Sequence, residues 1–168
     1  MIAFRKATSI RDHLVKSRLR PSHPAQRLSP GTVSCNNPSC GSCPYLDKDP
    51  KISGPGGSFT VRRSFSCDQT NVVYVIRCQK CTAKKILYVG ETGRSFDTRV
   101  KEHIADVRLQ RDSPVARHFD SVNGHSIQDL RAQIIWQAPA HPIDRRLTES
   151  RFIKHLGTLQ PRGLNLKP

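Results

Sequence analysis

Two tyrosines, Tyr74 and Tyr88, sit in short apolar runs; Arg99 and His103 follow, one helical turn apart, and Glu149 lies much further along the chain. These side-chain types suit the cleavage of a phosphodiester. Such a reaction needs a group that takes or positions the proton of an attacking water, a cation against the charge building on phosphorus and, commonly, a divalent metal held by a carboxylate. Tyr74, Tyr88 or His103 can serve the first need, Arg99 the second, and Glu149 the third through Mg²⁺ or Mn²⁺. Residue type alone does not choose the base among the first three.

Six cysteines offer a second chemistry, falling as Cys35-x4-Cys40-x2-Cys43, then Cys67, then Cys78-x2-Cys81. The leading residues MIAFRKATSIRDHLVKSRLR lack the continuous apolar stretch of a secretory signal, so an intracellular, nuclear setting is expected. In that setting clustered cysteines serve as metal ligands more often than as disulfides. Structural zinc takes four nitrogen or sulfur ligands, and a Cys-x-x-Cys knuckle such as Cys78 and Cys81 supplies two. His118 and His125 could complete the set, although six intervening residues exceed the usual finger spacing. Cys35, Cys40, Cys43 and Cys67 form a possible second zinc site, with Cys67 reaching back across a glycine-rich loop.

The elements that must position these groups can be read from periodicity. Val72–Ile76 is short and β-branched, which favours a buried strand, and Ile86–Val89 reads as a second. Gly90-Glu91-Thr92-Gly93 reads as a turn from strand to helix. Phe96, Val100, Ile104 and Val107 then mark an amphipathic helix over about 94–110, with Arg99 and His103 sharing a different face. Ser113-Pro114 caps a short helix carrying Val115, Ala116 and Phe119, which breaks at Asn123-Gly124. Leu130–Trp136 reads as a third strand, closed by Pro139 and Pro142. Ile143, Leu147, Ile153 and Leu156 suggest a last helix over 144–156, stopped by Gly157.

The chain has 168 residues, enough for one domain with an arm, and a net charge of +15 with pI near 10.2. Charge of that size, spread end to end, favours a polyanion as partner. Nucleic acid fits better than a membrane, because no stretch approaches the roughly 20 apolar residues of a span. Arg94, Lys101 and Arg108, near Arg99 in sequence, are the first candidates for phosphate contacts. Composition divides the chain into a basic arm or linker over 1–34, a Cys- and Gly-rich segment over 35–70 and a globular part over 71–168. A glycine-rich phosphate loop and a Ser-His-Asp arrangement are both lacking.

The succession of Tyr74, Tyr88-Val89-Gly90, Thr92, Arg99, His103, Glu149 and Gly163-Leu164-Asn165 resembles the GIY-YIG nucleases over about residues 71–166. With its Cys-x-x-Cys between the tyrosine motifs, it is most similar to the C-terminal endonuclease domain of Penelope-like retroelements. One departure is Val72, where the family motif has glycine. The resemblance implies an α+β fold, a three-stranded antiparallel sheet flanked by helices, here with a basic, Cys-rich N-terminal extension. It implies a metal-dependent DNA endonuclease that nicks, exposing a 3′ end for reverse transcription, with a reverse transcriptase domain upstream in a longer parent. It further implies that Tyr74 or His103 activates water, Arg99 contacts the scissile phosphate, Glu149 binds Mg²⁺ or Mn²⁺, Asn165 orders the site, and His118 and His125 join Cys78 and Cys81 on zinc. The alternative is a non-catalytic, zinc-stabilised nucleic-acid-binding module, a decayed element copy.

Overall fold

The computed structural model describes residues 29–83, 85–120 and 124–168. Residues 1–28 of the expected basic arm, and Asn123 at the expected break, lie outside the described residues. The central sheet comprises β5 (Val72–Cys78), β6 (Leu87–Thr92) and β7 (Leu130–Gln137), in the order β6-β5-β7 with both pairings antiparallel. Before it, among the described residues, come four short strands, β1 (Gly31–Val33), β2 (Lys51–Ser53), β3 (Ser58–Thr60) and β4 (Ser64–Ser66). Three α-helices follow β6 in the chain: α1 (Phe96–Arg108), α2 (Pro114–His118) and α3 (Pro142–Leu156). The architecture is α+β, with the antiparallel sheet foreseen from the sequence.

Position in the sheet explains the composition of β5. It is the middle strand, and Val72 through Ile76 are buried without alternation because both faces are covered. Tyr74 is therefore an interior residue, and it lies opposite Gly90 on β6. Phe96, Val100, Ile104 and Val107 of α1 are all buried, as their spacing requires. Ser95 caps this helix by accepting the Thr98 amide at 3.2 Å, and Ser113 caps α2 by accepting the Ala116 amide at 3.2 Å.

Helix α3 departs from the expected stripe. Ile153 and Leu156 are buried, but Ile143 and Leu147 are 63% and 52% exposed. Between Ile143 and Ile153 the helix winds far enough that the two side chains occupy different sides, and the covered face at its start holds Arg145 instead. The helix ends at Gly157 with φ of 66°. A side chain there would be strained and would also meet the Gly56 amide nitrogen at 2.6 Å.

The Cys- and Gly-rich segment is packed onto the sheet, so the compositional boundaries after 34 and 70 are crossed by the packing. Cys40, Leu46, Ile52, Val61, Phe65 and Cys67 join one core with β5, β6 and β7. Strand β1 pairs in parallel with β4, and Thr32 Oγ1 accepts the Ile134 amide at 2.7 Å. The Asp47 amide donates to the Ala132 carbonyl at 3.0 Å. Both bonds satisfy the outer edge of β7, which would otherwise offer unpaired backbone groups.

Candidate active site and metal centres

Tyr74, Arg99 and His103 meet beneath the protein surface. The Tyr74 hydroxyl lies 2.8 Å from His103 Nε2 and accepts a hydrogen bond from Arg99 Nε at 3.0 Å. Either atom can donate across this contact, depending on the tautomer of His103, whose Nδ1 is buried without a partner. Burial lowers the His103 pKa to about 3, with the Arg99 charge acting in the same direction. Burial also raises the Tyr74 pKa, helped by Tyr88 and opposed by Arg99. Arg99 Nη1 donates to Glu102 Oε2 at 2.9 Å, and the same oxygen accepts Arg94 Nη2 at 2.8 Å.

Gly90 belongs to strand β6 rather than to a turn. A Cβ added there would meet the Tyr74 hydroxyl oxygen at 2.5 Å and Tyr88 Cε1 at 2.8 Å. The glycine is what lets two tyrosine rings close over one strand. Gly90→Ala is therefore expected to displace Tyr74 from Arg99 and His103 and to cost about 1–3 kcal/mol, as overpacking does. Denaturant melting measures the cost; an unchanged midpoint would contradict this packing.

The surface above this network is a groove of about 490 Å³ lined by Tyr88, Arg146, Glu149, Ser150, Asn165 and Lys167, among others. Tyr88 is partly buried, its ring centroid 5.5 Å from that of His103. Burial raises its pKa, and Arg99 pulls it back. Glu149 has its pKa raised to about 7, chiefly by burial and next by the charge of Glu91. Among the described residues Glu149 joins no ion pair, whereas Glu91 is held by buried Arg145. Once ionised, such a half-buried carboxylate, with the charges of Arg146 and Arg99 nearby but no close ion pair, suits a divalent cation. Asn165 spends its amide on β6: Nδ2 donates to the Val89 carbonyl at 2.8 Å, and Oδ1 accepts the Val89 amide at 3.0 Å and the Thr158 hydroxyl at 2.8 Å. It holds the strand between Tyr88 and Gly90 in place.

Both cysteine groups assemble. Cys35, Cys40, Cys43 and Cys67 form one and Cys78, Cys81, His118 and His125 the other; in each, all four ligand atoms lie within 4.8 Å of one another. No disulfide forms. A tetrahedral zinc ion with bonds of about 2.0–2.3 Å needs ligand atoms roughly 3.3–3.8 Å apart. The Sγ separations of 3.5 Å for Cys40–Cys67, 3.7 Å for Cys43–Cys67 and 3.8 Å for Cys35–Cys43 match. So do those from Cys81 Sγ to His118 Nε2, 3.6 Å, and to His125 Nε2, 3.8 Å. Both groups could therefore hold a metal such as zinc. Lys80 buttresses the second, donating to the Gly124 carbonyl at 3.0 Å and pairing with Asp129 at 3.3 Å.

The four-cysteine group also holds the start of α1. The Asp97 amide donates to the Cys67 carbonyl at 2.8 Å and the Phe96 amide to the Gln69 carbonyl at 2.9 Å. Asp97 Oδ1 accepts the Ser42 amide at 3.2 Å, and Lys101 pairs with Asp97 at 2.6 Å. Lys101 is thereby engaged on the side of α1 opposite Arg99, and helical spacing puts Arg108 there too. Of the three basic residues named from the sequence, Arg94 alone stands beside Arg99, through Glu102. Arg146 and Lys167 line the groove instead. Arg146 was open to discovery from its i, i+3 spacing to Glu149; Lys167 carried no such signal.

No protein-family model matches the chain, and no curated protein or solved structure is significantly similar to it.

Proposed function

We propose that the protein is a metal-dependent endonuclease of GIY-YIG type that nicks DNA, from an element of the Penelope-like class with a reverse transcriptase domain upstream. The observation that carries this reading is that Arg99, joined to Tyr74 and through it to His103, neighbours Tyr88, which lines one groove together with Glu149. Arg99 influences both Tyr88 and Glu149, so the two sides of the site act on one space. The surplus of basic residues supplies the phosphate contacts that hold DNA there.

The roles follow from exposure. Tyr74 and His103 are 0% and 3% exposed, so they orient and polarise, whereas Tyr88 faces the groove and is the group that meets a water or phosphate oxygen. Its phenol, protonated at neutral pH like any tyrosine and pushed further that way by burial, donates a hydrogen bond rather than acting as a standing phenolate. Arg99 presents its guanidinium to the phosphate, and Asn165 fixes the strand bearing Tyr88. A divalent cation on Glu149 would supply further positive charge at the phosphate.

Zinc-loaded protein is expected to convert supercoiled plasmid to open circles only with Mg²⁺ or Mn²⁺. No conversion with either would remove the nuclease reading and favour the binding-only module, which needs the two metal centres but not the groove. The pH profile gives a sharper test. Glu149 must lose its proton to hold a cation, so activity rises as pH climbs through about 7. Proton and cation compete, so the limb should move to lower pH as Mg²⁺ is raised. His103, neutral down to about pH 3, contributes no limb in this range. A limb whose position ignores Mg²⁺ would contradict the role given to Glu149.

A further inference from the structure

Away from the groove, three aromatic rings cluster at the surface. Phe59 of β3, Trp136 of β7 and Phe152 of α3 have centroids 6.4 Å apart for Phe59–Trp136, 5.1 Å for Phe59–Phe152 and 6.1 Å for Trp136–Phe152. Trp136 is 47% exposed although it lies opposite core residue Val73 in the sheet. Two hollows meet at Phe59 and Trp136. One, of about 410 Å³, is also lined by Arg62 and Arg63; the other, of about 500 Å³, by Arg151 and Phe152. No carboxylate lines either hollow. Arg62 and Arg63 are exposed and enter no ion pair among the described residues. An aromatic face with cations on both sides and no anion matches a chain of flat bases joined by phosphates.

We propose that this surface binds single-stranded nucleic acid, with an unpaired base stacked on Trp136 and flanking phosphates on Arg62, Arg63 and Arg151. Stacking requires a free base face, which a duplex keeps inside, so the site discriminates for unpaired strand. Arginine adds to the match, since it both pairs with phosphate and packs on rings. A protein partner would leave the arginines unanswered unless it were acidic, and would not need the rings spread around two hollows. The inference goes beyond the nuclease reading and does not depend on it, because binding is measured without divalent cation and without cleavage.

Trp136 is the one tryptophan in the chain, so its emission reports on this surface alone. A short oligothymidylate, titrated without Mg²⁺ or Mn²⁺, should quench that emission, and a blunt duplex of the same length should not. By anisotropy of the labelled oligonucleotide, Trp136→Leu should weaken binding about tenfold. The double variant Arg62→Gln/Arg63→Gln, altered only at exposed positions, should reduce the salt dependence of log K by roughly 1.4, the value for two phosphate contacts to a single strand. Unchanged emission at saturating oligothymidylate would overturn the proposal, as would equal quenching by duplex. So would failure of acrylamide to reach Trp136 in the free protein, which would mean that residues 1–28 or a second copy already covers the rings. Nicking lost through Arg99→Ala with this binding intact would separate the two sites.

Discussion

Glu149→Gln is expected to lower metal-dependent nicking by about 100- to 1,000-fold, and Arg99→Ala by a similar factor, the usual cost of removing one group that stabilises transition-state charge. The two variants should differ in everything else. Glu149→Gln keeps shape and removes a charge whose ionisation the fold resists. The sign follows from the raised pKa, about 7 in the folded chain against an ordinary 4.5. Below about 4.5 the carboxyl is protonated whether folded or not, and the substitution leaves stability unchanged. As pH rises towards 7 the unfolded chain loses this proton first, so the wild type is progressively destabilised and Glu149→Gln gains on it. An inactive variant that melts higher at pH 8, without divalent metal, and equally at pH 4 is the expected result. Arg99→Ala should instead melt lower, since it frees the Tyr74 hydroxyl and leaves Glu102 to Arg94 alone. Arg99→Lys serves as control, restoring charge but not the planar group that spans Tyr74 and Glu102. Nicking unchanged in both Arg99→Ala and Glu149→Gln would sink the mechanism.

Removing zinc is expected to unfold the protein. A structural zinc site contributes apparent binding energies of about 10–16 kcal/mol near neutral pH. A whole domain is stable by only about 5–15 kcal/mol, so loss of both ions together is enough. Elemental measurement should find two zinc ions per chain, with Cys67→Ala and His125→Ala each retaining one. Their consequences should diverge. Cys67 belongs to the group that holds the first turn of α1, so its loss should loosen Arg99 and His103 and abolish nicking at once. His125 fastens the knuckle after β5 to the chain beyond α2, and its loss should lower the melting temperature more than the activity of the remaining folded fraction. Metal-free protein with an unchanged melting temperature would refute both centres.

Much of the frame was legible because periodicity reports burial. The β-branched run at Val72–Ile76 and the stripe of Phe96, Val100, Ile104 and Val107 each bury the faces that their spacing assigns. The misreadings share a cause: a residue's neighbours in space were not its neighbours in sequence. Gly90 looked like a turn because glycine usually marks one, and its true reason, the Tyr74 ring opposite, is known only from the register. Lys101 and Arg108 looked like companions of Arg99 on one helix, yet they point across it. Cys67, by contrast, was rightly grouped with Cys35, Cys40 and Cys43 from residue type, although the chain must loop back to bring it there. Glu91, which helps raise the pKa of Glu149, had no motif to announce it.

The amide of Asn165 has a consequence in time as well as in space. It bonds Val89 across 76 positions of the chain, and the Leu164 amide reaches the Leu87 carbonyl at 3.0 Å. Contacts of such long sequence separation are the last to be rewarded during folding, and a segment held by few contacts can open locally before the rest of the protein does. The strand carrying Tyr88 can therefore assemble beside β5 well before the tail arrives to lock it. A partly heated molecule should keep its sheet and helices, seen by circular dichroism, after amide exchange at Val89 has already risen.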